Sequence, residues 1–201
     1  MKSTAKTPLL LCAAFLALAM SAFPGAGEER EKIELKPALV VIDIQNVWMP
    51  KMAEEDVGSA PQKINEAIAL FREFGLPVIR VYHTNLERGP RPDTEPFEFP
   101  DSIAVTDDDP KIVKSRPSAF IDTDLEQVLR KRGRNTVFLC GLSATGCVLA
   151  TYFGAKEHDF ISVMIDGALL SGDASYTKMI EDICNSMTLE EVRETLKDPY
   201  L

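Results

Sequence analysis

Residues 137–153 read VFLCGLSATGCVLATYF, and this stretch decides the fold. Val137 to Cys140 is a short, continuous apolar run with β-branched and aromatic members, the pattern of a strand buried on both faces. Gly141 punctuates it, and Ser143, Ala144, Thr145 and Gly146 form a tight polar crossing. From Cys147 onward VLATYFGAK predicts a helix ending at Gly154 or just beyond. Cys147 is thereby expected in the first helical turn, just past the carboxyl end of a central strand, where open α/β sheets bind ligands. Amide donors and the helix dipole there favour an anion, in this case a thiolate. The competing reading is a small buried cysteine that packs the crossover.

Upstream, Ala38-Leu39-Val40-Val41-Ile42-Asp43-Ile44 reads as a buried parallel strand that ends in a carboxylate. An aspartate in such a run is costly to bury without a partner, unless it merely forms a turn. Gln45 to Pro50 is a loop carrying the only tryptophan, Trp48. Residues 60–74 place Ile64, Ala67, Ile68 and Phe71 on one helical face, and Gly75 stops that helix. Pro77 to Tyr82 is a second strand with His83 at its carboxyl end. Residues 84–110 are long, polar and rich in Pro and Asp, a length that points to a working or covering loop. The apolar pair Ile112-Val113 leads to Lys114, and a helix over 122–132 takes Asp122 or Thr123 as its cap.

Downstream, Phe160 to Asp166 is the last clear strand. Two helices follow, over 174–187 and 188–198, the second capped by Thr188 with Glu191 three residues on. Strands alternating with helices imply a parallel sheet covered on both faces, a three-layer α/β/α fold. The link between Gly154 and Phe160 lies at the opposite rim from Cys147, which sets His158 far from any chemistry.

A chain of 201 residues with 45% apolar content supports one sizeable core. Its formal net charge of -9, without a basic run, argues against nucleic acid or an anionic membrane as partner. Residues 1–27 read as a secretory leader, with Lys2 and Lys6, an apolar run from Leu9 to Met20, then Ser-Ala-Phe-Pro-Gly-Ala-Gly. That run is too short for an ordinary membrane span. The expectation is an exported, secreted or periplasmic protein with a single domain over 28–201 and no membrane contact once the leader is removed. Beyond the leader stand Cys140, Cys147 and Cys184, too few and too odd for a disulfide framework. A Cys140–Cys147 bridge remains the rival arrangement.

Asp43, Lys114 and Cys147 thus fall near carboxyl ends of strands. Thiol chemistry needs a thiolate, a proton acceptor and donors for an oxyanion. Asp43 can take the thiol proton, Lys114 can hold thiolate and carboxylate together and lower the cysteine pKa, and amides of the 143–147 crossing can face an oxyanion. His83 offers an alternative Cys–His dyad.

Asp43 in VVIDIQN, Lys114 in VKSRPSAF and Cys147 in GLSATGCV resemble the three signatures of the isochorismatase-like cysteine hydrolase family, and DGALLSGDASY is similar to its C-terminal pattern. The resemblance covers roughly residues 36–190. It implies a six-stranded parallel sheet with helices on both faces, an Asp43–Lys114–Cys147 triad and a thioester intermediate. It also implies a cis peptide at Ser143–Ala144 that turns the Ala144 and Cys147 amides toward one oxyanion. Family members are often oligomers, so the resemblance implies a homo-oligomer, with a partner chain available to complete the pocket.

The sequence departs from the nicotinamidase branch, which binds a metal through an Asp-x-His pair and a second histidine. Residues 83–100 supply His83 alone, so no metal and no cofactor are expected. Position 144 is Ala where many members have Thr, and Thr145 stands where a polar or acidic residue is common. The leading expectation is a cysteine amidohydrolase, resembling N-carbamoylsarcosine amidase-like members, that cleaves a C–N bond of a small linear amide, carbamoyl or ureido compound. Trp48, His83, Arg116 and Tyr152 are candidates to line the pocket, with Arg116 suited to a substrate carboxylate. Two rivals are a non-catalytic or redox-responsive protein of the same fold and a vinyl-ether hydrolase of isochorismate type. Disulfide pairing or full burial of Cys147 would favour the first, and an intact rate in Cys147→Ala the second. The Met179, Ile180, Ile183 and Met187 stripe fits either core or an interface.

Overall fold

In a computed structural model the described residues are 32–85 and 87–200, and those from Ile33 onward form one compact unit. The expected leader, residues 1–27, lies outside them. Eleven elements follow in order: β1 Pro37–Ile42, α1 Glu54–Glu73, β2 Val78–His83, β3 Lys111–Lys114, α2 Leu125–Lys131, β4 Thr136–Leu142, α3 Leu149–Glu157, β5 Ile161–Leu170, α4 Ala174–Ile183, β6 Ser186–Met187 and α5 Leu189–Lys197. The strands make one six-stranded sheet in the order β3-β2-β1-β4-β5-β6, every pair parallel. The chain winds outward from β1 to one edge, then returns to β4 and winds to the other. The crevice between β1 and β4 is therefore the topological switch point, where such sheets bind ligands.

Every residue of β1 and β4 is buried, as their continuous apolar runs require of strands covered on both faces. Side chains alternate between two cores. Leu39, Val41, Phe138 and Cys140 pack with α1 and α5, through residues such as Ile64, Phe71, Val192 and Leu196. Ala38, Val40, Ile42, Val137 and Leu139 pack with α2, α3 and α4, through Leu125, Leu129, Ala155 and Ile180. The three-layer α/β/α architecture follows directly from this double burial.

The elements depart from sequence expectation at several places, among them β5, which runs on past Asp166 to Leu170. Helix α1 starts at Glu54 and carries Pro61 inside it, where the apolar periodicity alone suggested a start near residue 60. Its acidic first turn of Glu54, Glu55 and Asp56 suits the positive end of the helix dipole. Strand β1 stops at Ile42, because Asp43 has a left-handed backbone with φ +54°. Residues 174–187 are not one helix: α4 ends at Ile183 and β6 pairs Ser186 and Met187 with Met164 and Ile165 of β5. Helix α2 begins at Leu125, whose amide donates to the Thr123 hydroxyl at 3.2 Å, so Thr123 and not Asp122 serves its start.

The long segment 84–110 is folded against the sheet. Phe97, Phe99 and Ile103 are buried in the α1 core, and Tyr82 stacks on Phe97 and Phe99 with ring centroids 5.1 and 4.2 Å away. Gln45, fully buried just after β1, ties this segment down: its Nε2 donates to the carbonyls of Phe97 and His83, and its Oε1 accepts from the His83 amide.

Candidate active site

Gly141 explains how the ends of β1 and β4 come so close. It is the register partner of Ile42, and a Cβ on it would fall 2.1 Å from the Ile42 carbonyl oxygen. Its φ of +116° is also one that residues with a side chain rarely adopt. With that atom absent, the backbone carrying Asp43 and the turn carrying Cys147 lie side by side.

Asp43 leaves β1 in the left-handed conformation, which aspartate tolerates better than most residues. Lys114 ends β3, where burial alternates out, in, out, in, so its side chain turns inward and is 1% exposed. The Lys114 ammonium donates to Asp43 Oδ2 at 2.7 Å and to His83 Nδ1 at 3.1 Å. An ammonium has no lone pair, so Nδ1 is the acceptor and His83 is neutral with its proton on Nε2. His83 and Lys114 are register partners on β2 and β3, which puts both side chains on one face. Asp43, His83 and Cys147 each offer an atom within 4.8 Å of the others. The structure therefore brings together Asp43, Lys114 and Cys147, with His83 as a fourth member.

Cys147 is half-buried and sits in a single π-helical turn, Ala144–Val148, that precedes α3 rather than in the first turn of the α-helix. The cis peptide lies at Leu142–Ser143, one bond earlier than expected at Ser143–Ala144. The departure from the sheet thus begins at the last residue of β4, and Ser143 already has extended geometry on entering the turn. The Ser143 carbonyl accepts from the Gly146 and Val148 amides, whereas the buried Ala144 donates its amide to no acceptor among the described residues.

Charge in this cluster is unevenly satisfied. Burial pushes the Asp43 carboxyl above its ordinary range, against the pull of Lys114. Oδ2 has the ammonium, but Oδ1 is buried without a hydrogen-bond partner among the described residues. Burial and then Lys114 hold His83 down to about 4. The Cys147 thiol is pushed up to about 11, by burial first and then by the Asp43 charge, which together outweigh Lys114. This corrects the expectation of a lowered thiol pKa, because Lys114 is committed to Asp43 and the turn only half exposes the sulfur. At neutral pH His83 is therefore a neutral imidazole and Cys147 a protonated thiol, beside the Lys114–Asp43 contact.

Asp43, His83 and Cys147 are types that ligate metals, but the Lys114 ammonium already occupies the space facing Asp43 and His83. A divalent cation there would meet a buried positive charge at close range, so this donor set fits an ammonium and not a metal.

The remaining candidates divide. Trp48 is half-buried beside His83, ring centroids 6.4 Å apart and edge to face, with the Lys51 ammonium 4.3 Å over the indole. Tyr152 is 4% exposed in the α3 core, and its hydroxyl accepts from the Asn185 amide at 3.0 Å. Its polar atom is spent on that loop, which removes it from the pocket-lining set. Arg116 is exposed and lies 3.5 Å from Asp122, with no contact to the buried cluster. It sits past the inward-turning end of β3, so its guanidinium finds solvent and a surface carboxylate instead. Gln45 was missed: its polarity between the buried Ile44 and a loop gives little signal until its two hydrogen bonds with the His83 backbone and its third to the Phe97 carbonyl are seen.

The three cysteines among the described residues, Cys140, Cys147 and Cys184, are free. Cys140 packs against the α1–α5 core and Cys147 against the opposite one, so the sheet separates them and the rival bridge does not form. His158 pairs with Glu126 at 2.8 Å, away from the cluster. In the C-terminal stripe Ile180 is core, while Met179 and Ile183 are exposed.

Comparison with known proteins gives one consistent answer. Residues 37–191 match the family model described as the isochorismatase domain. The chain is 34% identical over 150 residues to an uncharacterised isochorismatase family protein, YddQ, of Bacillus subtilis, covering 72% of this chain and 81% of that one. It is 31% identical over 154 residues to the N-carbamoylsarcosine amidase of an Arthrobacter species, covering 62% of this chain and 56% of the relative. Among solved structures it is similar to an isochorismatase family protein of Burkholderia thailandensis, with a TM-score of 0.69, 26% identity, and coverage of 82% and 99%.

Proposed function

The chain belongs to the isochorismatase-like hydrolase family, and from that premise we propose that it is a cysteine hydrolase cleaving a C–N bond of a small amide, carbamoyl or ureido compound. The observation that carries this reading is the divided Asp43 carboxylate, with Lys114 on Oδ2 and a buried Oδ1 that has no hydrogen-bond partner of normal geometry among the described residues, beside the Cys147 thiol. An acceptor held in place and left without a donor is what a proton-transferring base requires.

In the first step the Cys147 sulfur bonds to the substrate carbonyl carbon, and the thiol proton passes to Asp43 Oδ1. Negative charge gathers on the carbonyl oxygen, and the Ala144 and Cys147 amides receive it. Donors of this kind are worth about 2.7–4 kcal/mol in related chemistry. The C–N bond then breaks as Asp43 returns the proton to the leaving nitrogen, leaving a thioester and a free amine or ammonia. A water molecule gives its proton to Asp43, its oxygen attacks the thioester, and the acid departs while the proton goes back to sulfur. Lys114 keeps its charge throughout and holds Asp43 ionised at the moments when it must accept. The raised thiol pKa suits this scheme, since sulfur loses its proton only when a carbonyl is in place to take the electrons. That a relative is an N-carbamoylsarcosine amidase supports C–N chemistry. The leader-like residues 1–27 support assignment of the reaction to an exported protein.

The test is a panel of small primary amides and carbamoyl amino acids assayed for released amine or ammonia, with acid quenching and mass spectrometry of the peptide containing Cys147. Turnover with an acyl adduct on Cys147, abolished in Cys147→Ala, supports the reading. Hydrolysis that survives Cys147→Ala would overturn it.

A further inference from the structure

Beyond Trp48 lies a cavity of about 470 Å³, outside the buried cluster; Trp48 lines it, and the Trp48 ring lies edge to face 6.4 Å from the His83 ring of the cluster. Its lining combines Trp48 and Lys51 with Glu87, Arg88 and Arg91 from the segment after β2. The described residues of this segment are tied together by hydrogen bonds. Asn85 Oδ1 accepts from the Glu87 and Arg88 amides, the Asn85 carbonyl accepts from the Gly89 amide, and the buried Thr84 hydroxyl donates to the Pro90 carbonyl. The Thr94 hydroxyl closes on the Arg91 carbonyl at 2.6 Å.

Cations without an ion pair among the described residues also occur singly elsewhere, as at Lys131 and Lys156, but in this lining three share one opening. Acidic residues outnumber basic ones by 31 to 22, and Arg72, Arg80, Lys111 and Arg193 all find carboxylates. Lys51, Arg88 and Arg91 form no ion pair among the described residues, although all three are exposed at one opening. Glu87 offsets one of them and leaves a net positive rim. Unpaired cations around an apolar indole, in a protein whose overall field repels anions, make a local site for an anion with an apolar spacer.

The geometry points to a carboxylate-recognition subsite formed by Lys51, Arg88 and Arg91, with Trp48 as the wall along which the substrate's spacer lies. The preferred substrate is then an amide or carbamoyl compound bearing a carboxylate several bonds from the scissile carbonyl, since the tail must pass His83 and Trp48 to reach the rim. This rests on Cys147 being the nucleophile, and it replaces Arg116 as the anion-binding group.

The subsite is tested without knowing the substrate, by alkylating Cys147 with iodoacetamides of graded tail. N-iodoacetyl derivatives of glycine, β-alanine and γ-aminobutyrate are compared with uncharged N-alkyl iodoacetamides of matching length, with the rates followed by mass spectrometry of the peptide containing Cys147. One carboxylate tail length is expected to label at least about fivefold faster than its uncharged counterpart, an advantage that shrinks with added salt. The ratio is expected to fall toward one in Arg88→Gln/Arg91→Gln and in Lys51→Gln. It is expected to persist in Lys131→Gln, which removes an exposed cation on α2. Labelling with no carboxylate preference, or a preference equally altered by Lys131→Gln, would overturn the subsite and leave the nucleophile reading standing. Failure of every tail to label Cys147 above pH 9 would instead remove the nucleophile reading and the subsite with it.

Discussion

His83 Nδ1 stands 3.1 Å from Lys114 Nζ, and the same ammonium holds Asp43 Oδ2 at 2.7 Å. One buried cation thus serves two acceptors, one charged and one neutral. Burial disfavours an imidazolium at His83, and the adjacent Lys114 charge adds to that, so the histidine stays neutral down to about pH 4. In the unfolded chain the same side chain takes up a proton near its ordinary value of about 6.5. Between about pH 6.5 and 4 the unfolded state therefore binds more protons, and stability falls as the pH drops. His83→Gln retains a neutral acceptor and removes this dependence. Melting temperatures at pH 7 and pH 4.5 are expected to differ less for His83→Gln than for the wild type.

Lys114 and Asp43 are both essentially buried, so removing one partner leaves the other uncompensated. Lys114→Met is expected to cost about 3–5 kcal/mol, measured by urea unfolding. Asp43→Asn/Lys114→Met removes both charges and is expected to recover part of that loss. A double substitution as unstable as the sum of its parts would mean that the pair has no coupling.

The thiol of Cys147, at about 11, carries little thiolate at pH 8. Alkylation by iodoacetamide is expected to be roughly a hundredfold slower in the folded protein than for the same cysteine in the urea-unfolded chain, whose thiol titrates near the ordinary value. Asp43→Asn takes away the repelling carboxylate and leaves the ammonium, so labelling is expected to rise by about tenfold. Unchanged labelling in that variant would separate Asp43 from the sulfur.

Gly141→Ala puts a methyl 2.1 Å from the Ile42 carbonyl oxygen at a backbone angle of φ +116°. The strands must part where Asp43 and Cys147 meet, and a loss of at least about 2 kcal/mol in unfolding free energy is expected. Cys140→Ser, on the same strand but in the opposite core, serves as the comparison. It is expected to destabilise without altering alkylation of Cys147.

The fold was legible where burial writes itself into composition. Val137 to Cys140 and Leu39 to Ile42 are covered on both faces, so their apolar runs admit little else. Strand β6 was not legible, because two polar-flanked residues at a sheet edge carry no period. The start of α1 was hidden by Pro61, which interrupts the helical pattern in sequence although it lies inside the helix. At the site, Asp43, Lys114 and Cys147 could be picked out as polar residues at the ends of apolar strands. The company they keep could not. Tyr152 reads as a pocket residue one turn beyond Cys147, yet the helical repeat turns it into the core toward Asn185. The thiol pKa depends first on burial and then on the opposed charges of Asp43 and Lys114, which spacing in one dimension does not reveal.

The raised thiol has a consequence for survival as well as for turnover. Peroxides and disulfides attack sulfur through the thiolate, and disulfide exchange slows as that fraction shrinks. With Asp43 beside it and half its surface covered, Cys147 presents less thiolate to oxidants when folded than the unfolded chain would. Folding here shelters a nucleophile from sulfenic acid formation until a carbonyl arrives to draw the proton away.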